Sequence, residues 1–335
     1  MMVEIKYCPA LLKPGFSTYS DAALKKLFGA AKVSPFLEFD IDMFRHPADM
    51  IDAMNRISVS GVQEKFPAII SDGKISISGQ NQRSTHILKP SPWDNTLEHR
   101  KQIPANEHLT MQIAAQVYDI ETAENGLCFT PSGQCVYITR RFDIDSMGNK
   151  CLMEDFASLI GKNELVSGKH FRYQGTYEDI AVEIKRHVAA WMVDMEKFFN
   201  LVVFNYIYGN GDSHLKNFSL IRRGNEYRLA PAYDLLNTSL HLDGDDFGLN
   251  GGLSANIEKS DVYERTGHPC RLDFERFAEV IGLTKRRTAK ILNEFSDLPL
   301  LAATLINTSY LDKKMKRVYS HIVSERIQKF NRESS

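Results

Sequence analysis

Four side chains able to hold a cation or move a proton fall close together in GNGDSHLKNFSLIRRGNEYRLAPAYD, residues 209–234: Asp212, His214, Asn217 and Asp234. Asn217 and Asp234 offer oxygens suited to a hard cation such as magnesium, whose shell water and phosphate oxygens would complete. The spacing D-S-H-L-K-N, with a later Asp, matches phosphoryl-transfer enzymes in which the first Asp orients a hydroxyl while the Asn and second Asp hold metal. No H-R-D precedes it and no D-F-G follows. On these residues alone a plain structural account stands beside it, with Asp212 capping a turn, Asn217 opening a strand and Asp234 capping a helix.

Positioning these groups requires a turn and a loop. Phe218–Ile221 and Tyr227–Leu229 read as two strands around RGNE, a turn sequence that folds Asn217 back toward Ala232 and brings Asp234 beside it. Asp212 lies on a glycine-flanked loop after a long apolar stretch, a place where polar groups can be presented without breaking a core. That stretch, YEDIAVEIKRHVAAWMVDMEKFFNLVVFNYIYG, reads as helix, as do MEDFASLIG, FERFAEVIGL, TKRRTAKILNEF and a C-terminal segment through IVSERIQKF. Before residue 150 the pattern is different: SDAALKKLFG is a helix capped by Ser20 and stopped by Gly29. FPAII, ISIS and THILK are short strands with a turn at SDGK, 105–120 is a helix, and two strands flank PSGQ, the second ending in VYITRRFDI. The expected fold class is α+β, a two-lobed protein-kinase-like fold with a sheet-rich N-terminal lobe over residues 1–150 and a helical C-terminal lobe over 151–335. Clefts between lobes are common ligand sites.

The sheet-rich half holds the other parts that phosphoryl transfer needs, a loop over the phosphates and a cation to neutralise them. ISVSGVQEKF, residues 57–66, is a small-residue loop running into a strand, able to bring backbone N–H groups to an anion. Lys89 ends the strand HILK and can reach phosphates; Glu107 can orient Lys89 or simply sit in the first turn of its helix.

SVSGVQEK, HILKP, NEHLTMQIA, TRRFD, EDFASLIG, GNGDSHLKNFSL and LAPAYDLLNT stand in this order over residues 57–238, and in this the chain resembles the HipA-like serine/threonine kinases, toxins of bacterial toxin–antitoxin modules. Its short beginning is most similar to HipT, the small toxin of three-component systems. The resemblance implies ATP and Mg2+ as cofactors, Asp212 as the catalytic base, and Asn217 and Asp234 as metal ligands. It places Ser60, Gly61, Val62, Gln63, Glu64, Lys65 and Lys89 at the phosphates, with His214, Leu215, Lys216 and Tyr233 beside the nucleotide. Arg140, Arg141 and Phe142 would hold adenine through their backbone. Ser58 and Ser60 are the implied autophosphorylation sites; a phosphoserine adds about −1.5 to −2 charges, which would repel ATP phosphates from that loop. The implied acceptor is an aminoacyl-tRNA synthetase, tryptophanyl for the HipT type and glutamyl for longer relatives. The implied partners are a helix-turn-helix HipB-like antitoxin, which would bring the complex to DNA, and a small HipS-like protein.

Composition sets the outer bounds. A formal charge of −1 over 335 residues gives no global reason for direct nucleic-acid binding, and KKMKR at 313–317 reads as a solvated helix face. The N-terminus lacks a signal-peptide core and no apolar run reaches membrane-spanning length, so a cytoplasmic protein without membrane association is expected. Five scattered cysteines, without a C-x2-C pair, suggest neither disulfides nor zinc. Two other functions fit the same residues: a metal-dependent phosphohydrolase using Asp212, His214 and Asp234, and a catalytically silent ATP-binding partner in an antitoxin complex. Lys89, the 60–65 loop and the Asn217 spacing argue against the hydrolase; intact Asp212, Asn217 and Asp234 argue against the silent partner.

Overall fold

In the computed structural model, residues 3–44, 63–79, 82–93, 97–145 and 147–333 are described. Strands β1 (Phe66–Ser71), β2 (Lys74–Ile77), β3 (His86–Lys89), β4 (Asn125–Phe129) and β5 (Cys135–Arg140) form one antiparallel sheet in the order β2-β1-β3-β5-β4. The β1–β2 connection is a two-residue turn, Asp72-Gly73, with both φ values positive and Ser71 opposite Lys74. That geometry suits the twist of paired strands and selects Asp-Gly. Register then places Lys89 opposite Tyr137, so the strand that carries the lysine is fixed on both sides.

Helix α1 (Asp21–Phe28) begins at Ser20, whose hydroxyl accepts from the Ala23 N–H, and stops at Gly29 in the left-handed region. It lies against the outer face of the sheet in a small core with Leu27, Leu88, Val136 and Ile138. Helix α2 (Ile103–Val117) packs on β4 and β5, and every residue from Ile103 to Ala114 is buried. Burial all round marks a helix inside a core rather than on a surface. Its opposite face meets the helical lobe, where the Thr110 and Tyr319 hydroxyls share a hydrogen bond of 2.9 Å.

The helical lobe contains α3 (Phe156–Leu159), α4 (Glu164–Ser167), α5 (Tyr177–His187), α6 (Trp191–Ile207), α7 (Asp261–Thr266), α8 (Arg271–Val280), α9 (Lys285–Glu294), α10 (Leu300–Thr308) and α11 (Lys313–Phe330). A second antiparallel sheet, β6 (Met153–Asp155), β7 (Ser219–Arg223) and β8 (Glu226–Leu229), lies at its cleft side. The expected two-lobed α+β kinase-like architecture is the one observed.

Two helix expectations need correction. The stretch 177–209 is two helices, not one: Val188 turns extended (φ −104, ψ 117), and α5 and α6 pack against each other. No glycine or proline marks the break; α5 is closed by Lys185, Arg186 and His187 against its C-terminal dipole. MEDFASLIG likewise begins as strand, because Met153 to Asp155 complete the sheet edge beside β7, and only Phe156–Leu159 coils under the Asp155 cap. The basic run at 313–317 opens α11 with Met315 turned inward and Lys313, Lys314 and Arg317 exposed.

Candidate active site

Between the two sheets lies a cleft of about 440 Å³ whose lining includes Lys65, Lys89, Glu107, His214, Asn217 and Asp234. They come from five supports: the approach to β1, the end of β3, α2, the turn after α6, which carries both His214 and Asn217, and the segment after β8. The β7–β8 hairpin, closed by Gly224 at φ +61 with Arg223 opposite Glu226, returns the chain from Asn217 to Asp234. Both residues line the one cleft.

Lys89 is the electrostatic centre. Its ammonium, almost wholly buried, donates to Glu107 Oε1 at 2.6 Å and to Asp234 Oδ1, and lies 5.3 Å from the centroid of the Tyr137 ring. Burial works against its charge, but Asp234 and Glu107 overrule it and hold the pKa above the ordinary lysine value. Burial pushes Glu107 up, with Lys89 in partial opposition. Asp234 is also desolvated, yet Lys65, at 3.2 Å, and Lys89 hold its carboxyl below the usual carboxylate range. Asp234 adopts φ +56, a left-handed conformation that costs a non-glycine residue energy and clusters at functional sites.

Asp212, two residues before His214, is not part of that lining. It lines a separate cavity of about 300 Å³ with His170, Tyr173, Gly211, Asp243, Asp245 and others. The Tyr173 hydroxyl donates to Asp212 Oδ1 at 3.1 Å, and the Tyr173 ring meets the His214 ring edge-on at 5.1 Å. His214 itself is 3% exposed and neither ring nitrogen has a hydrogen-bond partner. Burial lowers its pKa, with Asp212 opposing, so the imidazole is neutral and its polar atoms are left for something else.

The loop carrying Asp212 is clamped by backbone. A Cβ on Gly211 would lie 2.4 Å from the Asp245 carbonyl oxygen, and one on Gly248 would lie 2.5 Å from the Ser213 N and C atoms. The segment 243–248 is held in turn by Asp246, which pairs with Arg326 of α11 and with His268 Nδ1 at 2.8 Å.

Other residues singled out from the sequence occupy varied places. Lys216 lines the cleft and binds Asp155 at 2.5 Å; Tyr233 lines it too, its hydroxyl donating to the Lys216 carbonyl at 2.9 Å. Arg140, Arg141 and Phe142 all line it. The Arg140 guanidinium is directed to the Lys26 carbonyl, and that of Arg141 to Asp143 and Ser84. The N–H groups of Arg140 and Arg141 donate to the Glu124 and Thr85 carbonyls. The Phe142 ring faces that of Tyr233 at 5.7 Å. Gln63 donates to the Pro90 carbonyl at 2.9 Å, just past the end of β3. Leu215 packs in the main core, and Glu64 is outside the cleft lining. Ser58, Ser60, Gly61 and Val62 lie outside the described residues.

Sequence reasoning missed Arg172 and Tyr173, which stand on the turn Phe171–Tyr173 at the junction of the two cavities. No spacing relates them to Asp212, forty residues on. Asp155 and Asp143 on the cleft wall were missed for the same reason.

The profile described as "HipA-like C-terminal domain" matches residues 57–299, most of the chain and all of the cleft-lining residues. The chain belongs to that family. Among HipA-like relatives, "Putative kinase Y4mE" of Sinorhizobium fredii is 26% identical over 75% of this chain and 60% of its own length. A "Putative kinase" of Haemophilus influenzae is 29% identical over 70% of this chain and 69% of its own. The serine/threonine-protein kinase toxin HipA of Shewanella oneidensis is 24% identical over 59% of this chain and 47% of its own. The fold is that of HipA: the Shewanella oneidensis HipA structure, solved with HipB and operator DNA, superposes with a TM-score of 0.62 at 17% identity. That superposition covers 87% of this chain and 67% of that one. The chain thus spans only part of the length of several HipA-like relatives.

The cleft's donor set fits a nucleotide. Lys65 and Lys89, a neutral imidazole with both nitrogens unsatisfied and an aromatic wall of Phe142 and Tyr233 are the groups that phosphates and a base would use. For magnesium the protein supplies little: among the described residues no group of three His, Cys, Asp or Glu side chains converges as a metal cage. Asn217 and Asp234 as two oxygen donors suit a magnesium ion bound mainly by phosphate and water.

Proposed function

We propose that this chain is an ATP- and magnesium-dependent protein serine/threonine kinase (residues 1–150 and 151–335 its two lobes), the toxin of a bacterial toxin–antitoxin system. The observation that carries this reading is the pairing of two cavities about one residue pair. A cationic cleft holds Lys65, Lys89, Asn217 and Asp234, and Asp212, two residues from the cleft-lining His214, opens onto a second cavity. A hydrolase needs only water at the phosphate; a separate entry on the Asp212 side suits a protein hydroxyl.

In this reading Lys89, held by Glu107, meets the α- and β-phosphates, and Asp234 would hold the metal in place of its present lysine partners. Bound magnesium would neutralise charge on the phosphates, held by Asn217 and Asp234. Asp212 accepts the proton of the acceptor hydroxyl. The hydroxyl oxygen bonds to the γ-phosphorus, and the bond to the β–γ bridging oxygen breaks with its electron pair leaving on ADP. Lys65, which spans the cleft to Asp234, swings to the departing phosphates. His214 stays neutral and fills its hydrogen-bonding capacity with the nucleotide.

The same reading includes the HipT type, autophosphorylation at Ser58 or Ser60, a cytoplasmic location, and an aminoacyl-tRNA synthetase, tryptophanyl before glutamyl, as acceptor. Its partners would be a HipB-like DNA-binding antitoxin and a HipS-like protein. The family relatives named as kinases and as a toxin support it. The test is transfer from γ-labelled ATP to purified tryptophanyl-tRNA synthetase with wild type and Asp212→Asn. Label on the synthetase that disappears in the variant, while nucleotide binding persists, is the expected result. Free phosphate without labelled protein would replace this reading with hydrolysis, and nucleotide binding without either would replace it with a silent partner.

A further inference from the structure

Arg172 and Tyr173 are consecutive residues on one turn, yet they face different cavities. Arg172 lines the nucleotide cleft beside His214, while Tyr173 lines the Asp212 cavity and donates to the Asp212 carboxylate. Arg172 is half-buried, and among the described residues its guanidinium makes no hydrogen bond or ion pair. Its positive charge acts on His214 and helps to keep that imidazole neutral. A half-buried guanidinium without a carboxylate, at the point where the cleft approaches the Asp212 side, is set to receive an anion.

We propose that Arg172 is a catalytic residue that binds the terminal phosphoryl group of the nucleotide during transfer, with Tyr173 as a positioning residue for Asp212. This rests on the kinase reading above. Lys89 is held by Glu107 deep in the cleft at the α- and β-phosphates and Lys65 serves the departing ones, so charge building on the transferring group calls for a further cation nearer Asp212. Arg172 supplies it, in the manner of an arginine finger carried by the same chain. The turn couples the two tasks. Moving Arg172 toward the phosphate moves Tyr173, and with it the orientation of the group that takes the acceptor's proton.

The test compares affinity for ADP with affinity for the non-hydrolysable β,γ-imido analogue of ATP, both with magnesium, in wild type, Arg172→Ala, Arg172→Lys and Tyr173→Phe. Arg172→Ala should leave ADP affinity within about twofold and weaken the triphosphate analogue by roughly tenfold or more, the scale of one charge-assisted hydrogen bond. Transfer should fall by about a thousandfold, with partial recovery in Arg172→Lys. Tyr173→Phe should lower kcat and leave both nucleotide affinities alone. Equal weakening of ADP and the analogue in Arg172→Ala would make Arg172 a general cleft cation and overturn the assignment, as would unchanged discrimination. Should the wild type bind neither nucleotide, the kinase reading itself falls and this assignment with it. A wild type that prefers the triphosphate, beside an Arg172→Ala that keeps the preference, removes the Arg172 assignment alone.

Discussion

Replacing Lys89 by Met tests the buried charge network at the centre of the cleft. Lys89 and Glu107 are 4% and 2% exposed, and Asp234 is nearly as enclosed. Met keeps most of the apolar stem, so the change removes charge rather than volume. Asp234 retains Lys65, but Glu107 is left as a buried carboxylate without its cation. Removing one partner of a buried pair typically costs about 3–5 kcal/mol. With an unfolding entropy of about 2.1 cal/mol/K per residue, that lowers Tm by roughly 4–7 °C if the chain unfolds as one unit. The pH dependence gives a sharper check. Glu107 already titrates above the ordinary carboxylate value because it is buried, and losing Lys89 drives it further up. An acid whose folded pKa exceeds its unfolded pKa binds more protons when folded over the interval between them, so the variant's deficit must shrink as pH falls from neutral through that interval. Thermal denaturation of wild type and Lys89→Met at pH 7.5 and 5.5 reads this as a difference of differences, and other titrations common to both proteins cancel. Adding Glu107→Gln should recover about half of the loss at pH 7.5. A variant as stable as wild type, or a deficit that widens on acidification, would refute the account of Glu107 as the stranded charge.

Two further outcomes follow from geometry. His86, His108 and His241 are each pushed by burial to about 4, against the opposing effect of hydrogen bonds they donate to the Leu27, Ala10 and Glu98 carbonyls. A base with a depressed folded pKa is neutral in both states above about 6.5, so these residues should make stability fall between pH 6.5 and 4 by up to roughly 3 kcal/mol each and then level off. Denaturant titrations across that range should show it, with a smaller slope after His108→Gln. Gly248→Ala should separate the 243–248 segment from Ser213, cost about 1–3 kcal/mol and abolish phosphoryl transfer while nucleotide affinity stays within a fewfold. Retained transfer would mean that the backbone clamp is not needed.

Much of this site could be read from the chain because its key parts are local. The hairpin turn at Gly224 and the glycine-flanked loop at 209–212 each announce a fold-back within a few residues and bear on Asn217, Asp234 and Asp212, while the Asp-Gly turn at 72–73 sets the β1–β2 pair. Lys89 was legible as the end of a short strand. What could not be read was pairing over distance. Nothing near Arg172 or Tyr173 signals a partner at Asp212 or His214, because the contact is made by three-dimensional packing of an irregular loop. The break at Val188 was hidden for a related reason: both flanking segments have helical periodicity, and only the packing of α5 on α6 shows that they bury different faces. Met153–Asp155 took strand form because β7 offered an edge, which overrides weak local preference.

The buried pair of Asp246 and Arg326 joins the wall of the Asp212 cavity to a helix eighty residues further along the chain. The cationic cleft has a tie to α11 as well, because the Tyr319 hydroxyl of that helix shares a hydrogen bond with Thr110 on α2, which also carries Glu107, the partner of Lys89. One helix therefore underlies both halves of the site, through a buried ion pair on one side and a pair of hydroxyls on the other. A molecule whose last helix peels away would lose the floor under the Asp212 cavity and the backing of its buried lysine together. The two cavities would then loosen in step, and α11 would serve as the common brace that keeps them in register.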